Sequence, residues 1–133
     1  MRFLNPRGAK RPSGYSDGVE ARGRLIFVPG QIGATGDRKV AGADMASQTE
    51  QALRNVAAVL AAGGASPAHV VRMTWYVTDM DEYRASRTAI GAAYRAVMAD
   101  HYPAMTLVEV KALVDPAARV EIEVTAVIPD AEA

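Results

Sequence analysis

The groups in this sequence that could do chemistry are few and scattered: Tyr15, the Gly30-Gln31 turn, Arg87, and the carboxylates Glu109, Glu121 and Glu123. A carboxylate at a partly buried boundary can act as a general base or general acid. Glu121 is the most informative of them because it lies in an alternating run. Val120, Ile122, Val124, Ala126 and Ile128 share one face there, and Glu121, Glu123 and Thr125 share the other. That polar face must lie in solvent, at a subunit boundary or in a site. On pattern alone, a solvated strand face is the simpler reading. The familiar signatures G-x-S-x-G, P-loop, G-x-G-x-x-G and H-E-x-x-H are absent. His69 and His101 stand at element ends, where boundary roles outweigh metal ligation. The chain has no cysteine, hence no thiolate nucleophile, Cys-bound metal or disulfide framework.

The elements that must position these groups read in order. The basic N-terminal stretch Met1–Ser16 is expected to be a loosely held, solvated terminus. Val19 to Arg22 suggests a short strand. Arg24 to Val28 reads as a compact, buried strand ending at Pro29-Gly30. Asp44 is placed to cap a helix starting at Met45, with the stripe Leu53, Val56, Ala57 and Leu60, and Gly63-Gly64 stops it. Ser66-Pro67 opens a short turn ending near His69. Val71, Met73, Trp75 and Val77 alternate with Arg72, Thr74, Tyr76 and Thr78, which predicts a strand. Asp79 or Asp81 caps a second helix with the stripe Tyr83, Arg87, Ile90, Tyr94, Val97 and Met98, ending at His101-Tyr102-Pro103. Met105 to Leu113 and Val120 to Ile128 then read as two strands joined by a turn at Val114-Asp115-Pro116-Ala117. A polar tail from Pro129 to Ala133 closes the chain. Two helices and about five strands predict an α+β fold, a single mixed β-sheet with both helices packed on one face. The other face is left for solvent or for partners, and the apolar residues it carries on several strands point to oligomerisation.

The 133 residues fit one domain spanning 1–133 with a core that needs no staples. No apolar run has the length of a membrane span, and the N-terminus lacks a secretory signal's apolar segment. A cytoplasmic setting is compatible with this composition. Net charge is zero, which argues against a dedicated nucleic-acid binder.

The chain resembles the Rid family, also called YjgF/RidA or L-PSP endoribonuclease-like, over nearly its whole length. The resemblance is carried by Gly14-Tyr15-Ser16-Asp17-Gly18, Phe27-Val28-Pro29-Gly30-Gln31-Ile32, Asn55-Val56, Tyr76-Val77-Thr78-Asp79, Pro103-Ala104, Val108-Glu109-Val110 and Val120-Glu121-Ile122-Glu123. It implies a fold like that of the small trimeric chorismate mutases and a homotrimer with small-molecule sites in clefts between subunits. It implies hydrolysis of reactive imines and enamines to a keto acid and ammonia, without metal or organic cofactor. Carried onto this chain, Glu121 activates water, and the Gly30 and Leu107 main chains hold water or substrate. Gln31 belongs to the same turn as Gly30, Tyr15 closes the cleft, and Tyr76 is a strand aromatic of that region.

One departure stands out. Deaminating members carry P-A-R, whereas this chain has Pro103-Ala104-Met105. In the family that arginine clamps the carboxylate of the imino acid through a bidentate fork, which a thioether cannot imitate. Losing a charge-assisted pair in a cleft costs on the order of 2–5 kcal/mol. Pro29 also stands where many members have serine, and Met105 with Leu107 makes the wall more apolar. The expected function is a Rid-family hydrolase of imines or enamines with an atypical substrate. The alternative is a non-catalytic metabolite-binding trimer of the same fold. An endoribonuclease is less favoured, since the chain has neither a basic stripe nor a histidine pair.

Overall fold

The computed structural model describes residues 1–130, so the end of the expected polar tail lies outside the described residues. Six strands and three helices follow in order: β1 (Arg2–Leu4), β2 (Gly18–Glu20), β3 (Arg24–Ile32), α1 (Met45–Ala62), β4 (Val70–Val77), α2 (Met80–Ala85), α3 (Arg87–Met98), β5 (Ala104–Glu109) and β6 (Val120–Ile128). A single 3₁₀ turn, Pro67–His69, leads into β4. The main sheet is mixed, with strand order β3-β6-β4-β5. β6 pairs antiparallel with both β3 and β4, and β4 pairs parallel with β5.

The core lies between this sheet and the helices. β6 sends Val120, Ile122, Val124, Ala126 and Ile128 inward, all at most 4 % exposed. α1 meets them with Leu53, Val56 and Leu60, and α3 adds Ile90, Tyr94 and Met98. α1 starts where expected because the Asp44 carboxylate accepts the Ser47 N–H at 2.8 Å. It stops at Gly63, whose N–H bonds the carbonyls of Leu60 and Ala61. Asn55 fixes α1 to the end of β3 by donating to the carbonyls of Ile32 and Ala34 at 3.1 and 2.7 Å. Among the described residues, no helix is long and apolar enough to cross a membrane.

Several local expectations change. The last two strands are not a hairpin. β4 lies between them, so a connection from Val110 to Arg119 crosses over it, and β5 itself stops at Glu109. Gln48 and Arg119 anchor the far end of that connection: buried Gln48 donates to the Ala117 carbonyl and accepts the Arg119 N–H at 2.7 Å. In β4 it is Val70, not Val71, that joins the core. A bulge between Val70 and Arg72 adds one residue relative to β6 and resets the alternation. The expected second helix is two helices, broken at Ser86, and Asp79 caps the first of them by accepting the Glu82 N–H. α3 ends at Met98, three residues before His101, and is capped by Ala99 with φ +54°. Tyr94 donates to the His101 carbonyl, and the His101 ring donates to the Val70 carbonyl at 2.7 Å, holding the chain as it leaves the helix. The N-terminal stretch is partly ordered: β1 pairs antiparallel with β2, and Arg2 meets Glu20 at 2.8 Å. β3 is buried on one side only. Val28 is 2 % exposed, whereas Leu25 and Phe27 are 54 % and 70 % exposed on the sheet's outer face. This follows because the helices cover only one face of the sheet.

Candidate functional site

Glu121 stands on the outer face of β6, directly across from Tyr76 on β4 and Ile32 on β3. The neighbouring strand β3 bulges beside it: Val28 pairs with Val124 but Gln31 pairs with Ile122, so β3 carries one extra residue at Pro29-Gly30. Proline has no N–H to give the ladder, and an edge-strand bulge accommodates it. The bulge brings the Gly30 main chain against the carboxylate. A Cβ at Gly30 would lie 2.5 Å from Glu121 Oε1, so only glycine leaves this approach open. Gln31 turns its amide onto the Pro29 carbonyl at 3.0 Å and so braces the bulge.

Tyr76 completes this group. Its hydroxyl donates to Glu123 Oε1 at 2.5 Å. That bond to a carboxylate raises the Tyr76 pKa above the usual tyrosine value, desolvation and the nearby Glu121 charge adding to the effect and Arg72 opposing it. Tyr76 is therefore a protonated donor between two carboxylates. Further along the same face, Phe27, Pro29, Arg72, Thr74 and Glu123 line an open cavity of about 390 Å³.

Met105, Leu107 and Tyr15 lie elsewhere. Met105 and Leu107 pair with Met73 and Trp75 and pack against the core, on the helix side of the sheet. β5 is the sheet's edge strand. Ser16 bridges it at Ala104, and beyond that bridge its outer main chain has no strand partner among the described residues. The Ser16 N–H donates to the Pro103 carbonyl at 3.0 Å, which holds Tyr15 at this edge, 45 % exposed and near Tyr102. Met105 lines a cavity of about 150 Å³ between β5 and α3, which Arg87 also lines. In one chain the expected residues therefore form two groups: Glu121, Gly30, Gln31 and Tyr76 around the β3 bulge and the outer face, and Tyr15, Met105 and Leu107 at the β5 edge. His69 accepts the Ser66 N–H at 3.0 Å and His101 is held by Val70, so both serve local structure. Sequence reading did not single out Arg95, Trp75 or Tyr102 as site residues, though all three line the cavity beside Met105. The Arg87-Gly91-Arg95 spacing was the available signal.

A helix-backed mixed sheet with a glycine bulge beside a glutamate on its free face defines a recognisable class. The family described as Endoribonuclease L-PSP matches residues 8–128. The 2-iminobutanoate/2-iminopropanoate deaminase of Escherichia coli K12 is 33 % identical over 116 residues, covering 85 % of this chain and 86 % of the deaminase. RutC family protein y4sK of Sinorhizobium fredii is 36 % identical over 112 residues, 82 % of each chain. Among solved structures, the Rid-family protein YyfB of Yersinia pestis, of unknown function, superposes with a TM-score of 0.84 at 35 % identity, covering 96 % of this chain and 98 % of that one. E. coli TdcF with bound serine gives 0.68 at 27 % identity, covering 96 % and 99 %. The chain belongs to the Rid family of endoribonuclease L-PSP-like proteins.

Proposed function

We propose that this protein is a Rid-family hydrolase of small imines or enamines, working as a homotrimer whose sites lie between subunits. The observation that carries the reading is the Glu121 carboxylate lying over the Gly30 main chain, with Tyr76 across the strand. An imine carbon is attacked by water, and the resulting carbinolamine expels ammonia to leave a carbonyl. Glu121 takes a proton from water as it adds and passes it to the imine nitrogen, then moves the carbinolamine hydroxyl proton to that nitrogen as ammonia leaves and the carbonyl forms. The Gly30 main chain and the free edge of β5 at Leu107 orient water and substrate, and Tyr15 covers them. The separation of these residues into two groups supports an inter-subunit site, since the edge of one copy can meet the outer face of the next. A small-molecule ligand is then the partner of that cleft, and no cofactor takes part.

Met105 gives the substrate an atypical character, because the deaminating pattern has arginine there. The same residue supports the second reading, a trimer that binds a metabolite without turning it over. Ammonia release from freshly generated 2-iminobutanoate separates the two, with wild type, Glu121→Gln and Met105→Arg assayed together. An active wild type and a dead Glu121→Gln are the result expected of a deaminase. Activity gained only by Met105→Arg indicates a competent scaffold whose own substrate differs. Silence from all three favours the binding trimer.

A further inference from the structure

α3 carries Arg87, Gly91 and Arg95 four residues apart in succession, so they share one side of the helix. A Cβ at Gly91 would lie 3.2 Å from Arg95 Nη1. The Arg95 guanidinium therefore lies back along the helix over Gly91, toward Arg87. Both arginines line the cavity of about 150 Å³ beside Met105, and no Asp or Glu lines it. Some other arginines find carboxylates, as Arg54 does with Glu50 and Arg119 with Glu82, and others, Arg24, Arg38 and Arg72 among them, form no ion pair among the described residues. Arg87 and Arg95 form no ion pair among the described residues. Both side chains are exposed, and an anion seated between them would give each a charged partner.

The wall behind them is aromatic. Tyr94 stacks on Tyr102 with centroids 5.3 Å apart and 9° between planes, and meets Trp75 at 6.2 Å. Trp75 is 2 % exposed, yet its indole N–H has no hydrogen-bond partner among the described residues. Buried indole N–H groups ordinarily find an acceptor. The pocket thus combines two arginines without ion pairs and flat apolar surface in a small volume.

We propose that this cavity binds a small organic acid with a flat apolar body, its carboxylate held by Arg87 and Arg95 and its body by Met105 and the aromatic wall. The inference deepens the deaminase reading by locating the acid end of the substrate, and it rests on that reading only for the bound acid being a substrate. Trp75 is the only tryptophan in the chain, so its fluorescence reports on the cavity directly. Phenylacetate should change that emission saturably, and phenylacetamide, its uncharged counterpart, should bind at least about tenfold more weakly. Arg87→Gln and Arg95→Gln, each checked for fold by circular dichroism, should weaken phenylacetate roughly tenfold and leave phenylacetamide unchanged. Equal binding of acid and amide, wild-type behaviour in both variants, or no response to phenylacetate would overturn the proposal. So would inorganic phosphate binding as tightly as phenylacetate, since the site would then read charge alone. Failure here with ammonia still released from 2-iminobutanoate removes the cavity assignment and spares the deaminase. Binding with no ammonia release from wild type, Glu121→Gln or Met105→Arg does the reverse.

Discussion

Gly30 and Glu121 are far apart in the chain and share one small space. A side chain at Gly30 would meet Oε1, Cδ and Cγ of Glu121 at 2.5 to 2.7 Å. Those atoms belong to a flexible side chain, so the cheapest response is for the carboxylate to move. Gly30→Ala should therefore lower the rate of imine hydrolysis at least about tenfold, as displacement of a reacting group does. Its urea midpoint should stay close to wild type, with stability changed by less than about 1 kcal/mol. A fully active Gly30→Ala would separate the bulge from the chemistry. A large loss of stability would show that Glu121 is held too firmly to yield. Glu121 itself was legible as a carboxylate on an alternating strand. Its meeting with Gly30 was not, because the bulge at Pro29 that creates it depends on register between two strands. The fate of Gln31 was hidden for the same reason: nothing in the sequence says that its amide turns back on its own bulge.

Helix ends were the most legible elements. Asp44 caps α1 with a charge-assisted bond to the Ser47 N–H, and that bond is the main cause holding the Asp44 pKa below the usual aspartate value. A folded pKa below the unfolded one gives stability that is present above the unfolded pKa and lost as pH falls through the folded one. Asp44→Ala should cost about 1 kcal/mol near neutral pH. In urea titrations, its gap from wild type should shrink as pH drops through the ordinary aspartate range, about 4, and below. A gap that stays constant would assign the effect to helix propensity instead. Caps are legible because they depend on a few adjacent residues. The end of α3 at Met98 goes with a distant partner, the Val70 carbonyl that the His101 ring meets, and left no local mark. The crossover between β5 and β6 was hidden in a similar way. A turn-like Asp-Pro stretch suggests a hairpin until β4 is found between the strands.

Across the whole molecule, the helices cover one face of the sheet and leave the other bare. Leu25, Phe27 and Val108 stand 54 %, 70 % and 41 % exposed in the isolated chain. The proposed assembly would cover these residues with neighbouring copies, and their outward apolar positions were open to sequence reading. Phe27→Glu should yield a folded monomer, with sedimentation velocity reporting the mass and far-ultraviolet circular dichroism the fold. A variant that sediments as the wild type does would move the contact to another face.

The placement of Glu121 and Met105 in separate groups has a consequence for inheritance. In the proposed trimer, with its site shared between copies, no chain would own a complete one, and a damaged chain would injure its neighbour's site as well as its own. A cell carrying both a sound and a defective version would build mixed assemblies in which the defect spreads beyond the chains that bear it. Two different defects, one on the outer face and one at the β5 edge, would behave oppositely. Side by side, each lends the part the other lacks, and an intact site can reappear between two broken chains.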